Sequence, residues 1–106
     1  TQLTQLDLSN NDISELPLEM RFLTNLTSLN LSYNDLINIP EPIIQQLTQI
    51  RTFNLFFNLK LKKIPLDKIL NLSLLEDLNL GMTSLSFSDE EIQKLKQVIK
   101  KISFSK

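Results

Sequence analysis

The chain has 106 residues, the size of one domain, and 42% of them are hydrophobic, enough to build a core. Net charge is −1, which gives no reason to expect nucleic acid as a partner. Cysteine and histidine are absent, which excludes disulfides and thiolate sites and removes the commonest metal ligand and general base. The charge is uneven: residues 1–50 hold six acidic and one basic residue, residues 51–106 six acidic and ten basic. Such runs are expected to face water, with a basic partner-facing edge near the C-terminus as the alternative. No apolar run approaches the roughly 18 residues of a membrane span, and no signal peptide is visible. The chain opens on Thr1 directly in a repeating pattern, which reads as a mature or excised fragment.

The first segment runs Leu3-x-x-Leu6-x-Leu8-x-x-Asn11-x-Ile13 and closes on Leu16-Pro17. Its Leu-x-Leu is a short strand, with the two leucines inward and Asp7 outward. The pattern returns as Leu26-x-x-Leu29-x-Leu31-x-x-Asn34-x-Leu36 with Ile39-Pro40, then as Ile50-x-x-Phe53-x-Leu55-x-x-Asn58 with Ile64-Pro65. In this third copy the next apolar residue, Leu61, comes one position late, so the turn is expected to widen without moving the strand. A fourth copy, Leu75-x-x-Leu78-x-Leu80-x-x-Thr83-x-Leu85, carries Thr in place of Asn.

One such unit cannot bury its apolar side alone, so the copies must stack into a parallel sheet over a continuous core. Asn11, Asn34 and Asn58 are expected to form a ladder that pairs the turning backbone, since each side chain has both a donor and an acceptor. Thr83 can continue it only in part. Each proline suits the corner into a return segment, because it fixes φ and lacks a donor. Met20 and Leu23, then Ile43, Ile44 and Leu47, then Ile69, Leu70 and Leu72 have the spacing of short helices or 3₁₀ turns on those returns. After the fourth copy, "SFSDEEIQKLKQVIKKISF" reads as a helix. Ser88 and Glu91 make a capping box, Asp89, Glu90 and Glu91 favour its start, and Lys100 and Lys101 its end. Ile92, Leu95, Ile99 and Ile102 share one face, and residues 102–104 can add a final short strand.

This pattern resembles the leucine-rich-repeat family, of the 23-residue LPxxL type, over essentially the whole chain; "TNLTSLNLSYNDLINIP" (24–40) fits it best. The resemblance implies an α/β solenoid, a right-handed superhelix of about four repeats with a short parallel sheet on the concave face and a C-terminal helical cap. The expected layout is one domain over 1–106, with repeats at about 3–25, 26–49, 50–74 and 75–87 and the cap at 88–106. It also implies binding of another protein through the concave face without catalysis, as in intracellular scaffolds and in repeat proteins that intracellular bacteria secrete as effectors into host cells. The alternative is a structural spacer or terminal segment of a larger protein whose activity lies in another domain. Extracellular relatives usually carry cysteine-stapled caps, so a cytoplasmic working environment, of the producing or a host cell, is expected. The abundance of Asn, Ile, Lys and Leu with one Gly points to an AT-rich genome, as in a bacterium or protist.

The outward positions form four columns across the sheet. Gln5, Ser28, Thr52 and Asp77 are the first; Asp7, Asn30, Asn54 and Asn79 the second; Ser9, Ser32, Phe56 and Gly81 the third. The fourth is Asn10, Tyr33, Phe57 and Met82, and unlike the others it is largely apolar. Tyr33, Phe57 and Met82 with Phe56, flanked by Asn30, Asn54 and Asn79, are therefore the candidate partner-binding residues. The competing expectation is that Phe56 or Phe57 folds over the edge and fills the widened third turn near Leu61.

No cofactor and no metal site is expected: Asp89, Glu90 and Glu91 are explained by helix capping. Asp7 and Asp77 stand three strands apart, roughly 15 Å by strand spacing, too far for a catalytic carboxylate pair. Lys60, Lys62, Lys63 and Lys68 form a basic spot without a clear stacking platform. The N-x-[ST] sequons at Asn25, Asn30 and Asn71 arise from the repeat itself. A monomer is the expected state.

Overall fold

The computed structural model describes residues 2–104. The expected domain and cap therefore reach, at Thr1, Ser105 and Lys106, outside the described residues. Five short strands, β1 (Gln5–Asp7), β2 (Ser28–Asn30), β3 (Thr52–Asn54), β4 (Asp77–Leu80) and β5 (Lys101–Phe104), form one parallel sheet in sequence order. Parallel neighbours need a crossover. Here the crossovers are a 3₁₀ helix (Leu18–Phe22), then α1 (Glu41–Gln46), α2 (Leu66–Leu70) and α3 (Asp89–Val98). Pro17, Pro40 and Pro65 stand at the N-caps of the first three returns, as their locked φ requires.

Register follows the repeat. Leu6 pairs with Leu29, Leu29 with Phe53, Phe53 with Leu78 and Leu78 with Ile102. Leu29, Leu31, Phe53, Leu55, Leu78 and Leu80 are all at most 1% exposed, and Ile43, Ile44 and Ile69 meet them from the return side as one core cluster. Each such side chain contributes about 1.5–3 kcal/mol by leaving water. Burial fades at the first repeat, where Leu6, Leu8 and Ile13 are only partly covered.

The asparagine ladder forms and runs backward along the stack. Asn58 is fully buried; its Nδ2 donates to the carbonyls of Leu31 and Leu55, both at 3.0 Å, and its Oδ1 accepts from the Leu36 amide at 3.1 Å. Asn34 does the same with the Leu8, Leu31 and Ser32 carbonyls and the Ile13 amide. Each therefore ties its own turn to the preceding repeat. Asn11 bonds only the Leu8 and Ser9 carbonyls of its own turn. Thr83 donates to the Leu80 carbonyl and accepts a long bond from Leu85, with no link to the third repeat.

The extra residue of the third copy is absorbed in a tight turn, with the Leu61 amide donating to the Asn58 carbonyl at 3.0 Å. Leu61 then takes the buried place that Leu36 holds one repeat earlier. The turn pushes the Leu59 carbonyl outward, and the Ser84 hydroxyl caps it at 2.6 Å. The widened turn is thus filled by Leu61 and closed by Ser84, not by a phenylalanine.

At the C-terminus the final strand expected at 102–104 is present as β5, but the helix before it ends earlier than expected. Ser88 and Glu91 do form a reciprocal capping box. The helix nevertheless ends at Val98, Ile99 is extended (φ −116°, ψ 123°), and Lys100 and Lys101 lie beyond it. Leu95 and Ile99 are buried, but Ile102 reaches the core from β5. Ile102 fits both a helical face and the alternation of Lys101-Ile102-Ser103-Phe104. Four residues of pairing with β4, and the edge contact of Phe104 with Phe87 (centroids 5.8 Å apart), decide for the strand. The cap is a fifth coil of the solenoid.

Candidate protein-binding face

The sheet register places every outward column as expected. Gln5, Ser28, Thr52 and Asp77 stand in line, as do Asp7, Asn30, Asn54 and Asn79, and β5 extends the two rows with Lys101 and Ser103. Beyond the strands the ladder continues through backbone bonds. Asn10 donates to Ser32, Tyr33 to Phe56 and Phe57 to Gly81, so the fourth column stays aligned.

In the second column each side chain closes a turn on its own backbone two residues on. Asp7 Oδ1 accepts from the Ser9 amide and hydroxyl, and Asn30 Oδ1 from those of Ser32. Asn54 accepts from the Phe56 amide at 2.9 Å, and Asn79 from the Gly81 amide at 3.0 Å. The Ser9 hydroxyl, followed by the Ser9 backbone bond, holds the Asp7 carboxyl below its ordinary value of 3.8. These bonds consume acceptors. The Nδ2 groups of Asn30, Asn54 and Asn79 have no intramolecular acceptor among the described residues. They line a shallow groove of about 330 Å³ with Ser28, Thr52, Asp77, Lys101 and Ser103. Asp77 is paired across it with Lys101 at 3.9 Å.

The fourth column has a backbone property that the sequence pattern did not announce. Asn10, Tyr33, Phe57 and Met82 all have left-handed backbones, with φ of 59°, 57°, 61° and 53°, and no other described non-glycine residue does. The conformation costs a residue with a Cβ about 1 kcal/mol and suits Gly or Asn. Asn10 was the available signal. At the other three positions the repeat carries large side chains in a place that disfavours them.

Tyr33 and Phe57 cluster with Phe56, and Met82 stands next in the same column. The Tyr33 ring stacks on Phe57 at 4.9 Å and 22°, and meets Phe56 edge-on at 5.6 Å. Phe56 and Phe57 are 6.2 Å apart. Tyr33 is 45% exposed and Met82 46%, while Phe56 and Phe57 are half-buried, so the cluster is accessible. Phe56 lies across the sheet over Gly81: a Cβ built there would meet its ring at 3.0 Å. The only glycine of the chain thus leaves close packing room for the Phe56 ring, and its φ is not positive. Leu59, 52% exposed on the widened turn, is a further apolar side chain that the column pattern missed.

Among the described residues no group of three or more His, Cys, Asp or Glu side chains gathers as a metal site. No helix of these residues is long and apolar enough to cross a membrane. A cleft of about 460 Å³ lies between the returns, lined by residues that include Gln45, Lys68, Asn71 and Ser73 and none of the cluster.

The fold and this face define a short repeat solenoid that displays its sheet. A family model described as leucine-rich repeats, in two copies, matches residues 1–45. A leucine-rich-repeat protein of Leptospira interrogans is similar at a TM-score of 0.79 and 34% identity, over 96% of this chain and 25% of that one. A chain of the Toll–Spatzle complex of Drosophila is similar at 0.78 and 25% identity, over 97% and 15%. The plant peptide hormone receptor RGFR1, in complex with RGF2, is similar at 0.72 and 28%, over 97% and 17%. No curated protein matches. Residues 1–45 thus match the leucine-rich-repeat family, and the described fold as a whole is that of a leucine-rich-repeat solenoid. It spans a quarter or less of the length of these solved chains. Proteins of this family are, as a class, protein-interaction modules and typically not enzymes.

Proposed function

We propose that the chain is a protein-recognition module that engages its partner through the concave face, at Tyr33, Phe56, Phe57 and Met82 with Asn30, Asn54 and Asn79 beside them. One observation carries this reading. Large side chains occupy three left-handed positions on an otherwise polar face, and two of them are nearly half exposed. Packing alone does not offset backbone strain at so exposed a place, whereas a contact with a partner would. The similar Toll–Spatzle and receptor–peptide structures are themselves complexes, which fits a protein partner. The module does no chemistry: the two aspartates of the face stand three strands apart, roughly 15 Å, and no imidazole or thiol is present. A monomer working in the cytoplasm, as an intracellular scaffold or as a segment of a secreted bacterial effector, belongs to the same proposal. A spacer role, with activity in a neighbouring domain, is the second reading. The small share of its structural neighbours that the chain spans favours it.

The test copies the first repeat into the second and third. Tyr33→Asn with Phe57→Asn places at both positions the residue that Asn10 holds at the same φ. Backbone relief of about 1 kcal/mol at each of the two positions offsets the one stacking lost, about 0.5–1.5 kcal/mol, and part of the apolar burial lost with the rings. The melting temperature should therefore stay within a few degrees. Capture of partner proteins by the immobilised chain should fall by about tenfold or more, as for a lost hot spot. An unchanged capture profile at unchanged stability refutes the recognition reading and leaves the spacer.

A further inference from the structure

The geometry points to a proline-rich segment in the polyproline II conformation as the occupant of the concave groove. The inference rests on reading this face as a protein-binding surface, and adds what kind of segment it takes.

Hydrogen-bond chemistry is the first ground. Across β2, β3 and β4 the groove offers the Nδ2 donors of Asn30, Asn54 and Asn79, while each Oδ1 already accepts a backbone N–H. The central row therefore has more open donors than acceptors, and it favours a segment rich in carbonyls and poor in N–H groups. Proline has a carbonyl and no N–H, so a proline-rich segment supplies acceptors without donors. Charge agrees: Asp7 lies on β1 and the Asp77–Lys101 pair spans β4 and β5, while the second-column positions of β2 and β3 are amides. The occupant of that stretch is therefore uncharged.

Spacing is the second ground. Asn30 and Asn79 stand two strands apart, about 9.5 Å at the usual strand separation. A polyproline II helix brings the same face round every three residues, about 9.3 Å. An extended strand repeats its face at about 6.7 Å and falls out of step. Beside the amides lies the ring cluster of Tyr33, Phe56 and Phe57, the kind of surface on which proline rings dock.

The experiment uses the whole chain and a capped decaproline peptide. Tyr33 is the only tyrosine and there is no tryptophan, so tyrosine emission reports on the cluster itself. Decaproline should change that emission saturably and shift the side-chain amide signals of Asn30, Asn54 and Asn79 in nitrogen–proton NMR spectra. A capped glycine–serine decapeptide should bind at least about tenfold more weakly. Asn30→Asp keeps the acceptor, as Asp7 shows, and removes the donor. It should keep the melting temperature and weaken decaproline by about tenfold, the effect of one lost hydrogen bond. Asn79→Asp makes the same exchange one ligand turn away. No response to decaproline overturns the inference, as does undiminished binding by both variants, or binding of maltohexaose in its place. Should decaproline fail while the Tyr33 and Phe57 exchanges still abolish capture of a protein, this inference falls and the recognition reading stands.

Discussion

The first and third repeats share a frame and differ in almost everything placed upon it. Both put a side-chain oxygen onto the backbone two residues on, Asp7 in one and Asn54 in the other. Both then pass through a left-handed residue, Asn10 and Phe57, at φ 59° and 61°. The first repeat fills these places with residues the backbone favours. The third fills them with an amide, whose donor faces the groove, and with a phenylalanine that the backbone disfavours. The ladder contrasts as well: Asn58 is buried with partners in two repeats, while Asn11 is exposed with partners only in its own turn. Frame and cargo are thus separable, and the first repeat is a built-in control for the third.

The largest expected difference lies in the ladder. Asn58→Ala strands the Leu55 carbonyl and the Leu36 amide in the core, while the Leu31 carbonyl keeps its bond from Asn34. At about 1–3 kcal/mol each before relaxation, a loss of at least about 2 kcal/mol is expected. Asn11→Ala should cost under about 1 kcal/mol, as for exposed positions generally. Urea denaturation of both variants measures the gap, and equal losses would mean that the ladder does not run backward.

A smaller effect belongs to Gly81. In Gly81→Ala the new methyl meets the Phe56 ring, and overpacking of this kind costs about 1 kcal/mol. The ring should shift by a few tenths of an ångström, changing the ring-current shifts of Tyr33 in proton NMR. Unaltered Tyr33 shifts would show that Phe56 does not depend on this glycine.

The smallest concerns pH. The folded carboxyl of Asp7 is held low by the two bonds from Ser9. Its contribution to stability is therefore present above the ordinary carboxylate value of 3.8 and lost as pH falls below it. Asp7→Asn keeps the acceptor without the charge, so wild type and variant should differ slightly in melting temperature at neutral pH and converge in acid. A difference that grows in acid would reverse the sign.

Much of the frame was legible because its chemistry is local and repeated. Apolar alternation, Leu-x-Leu in three copies and Phe53-x-Leu55 in the third repeat, marked strands β1 to β4, the prolines marked three corners, and Ser88 with Glu91 marked the start of α3. The outward columns followed from strand period alone. Three features were not legible. The end of α3 was missed because Ile102 satisfies two periods at once. The left-handed column was missed because a turn's φ depends on bonds to the neighbouring repeat. Ser84 was missed because the carbonyl it caps lies 25 residues back.

The sequence by itself determined the unit, its repetition, and hence the parallel sheet and its register, since apolar spacing and turn residues act within a single copy. Only the tertiary structure decided that the helix stops at Val98, so that the final strand pairs with β4 over four residues, and that Gly81 yields its space to Phe56. It also decided that the asparagines turn their acceptors inward while Tyr33 and Phe57 stack at strained positions. These outcomes arise between repeats, where two stretches of chain some 25 residues apart compete for one volume or one hydrogen bond.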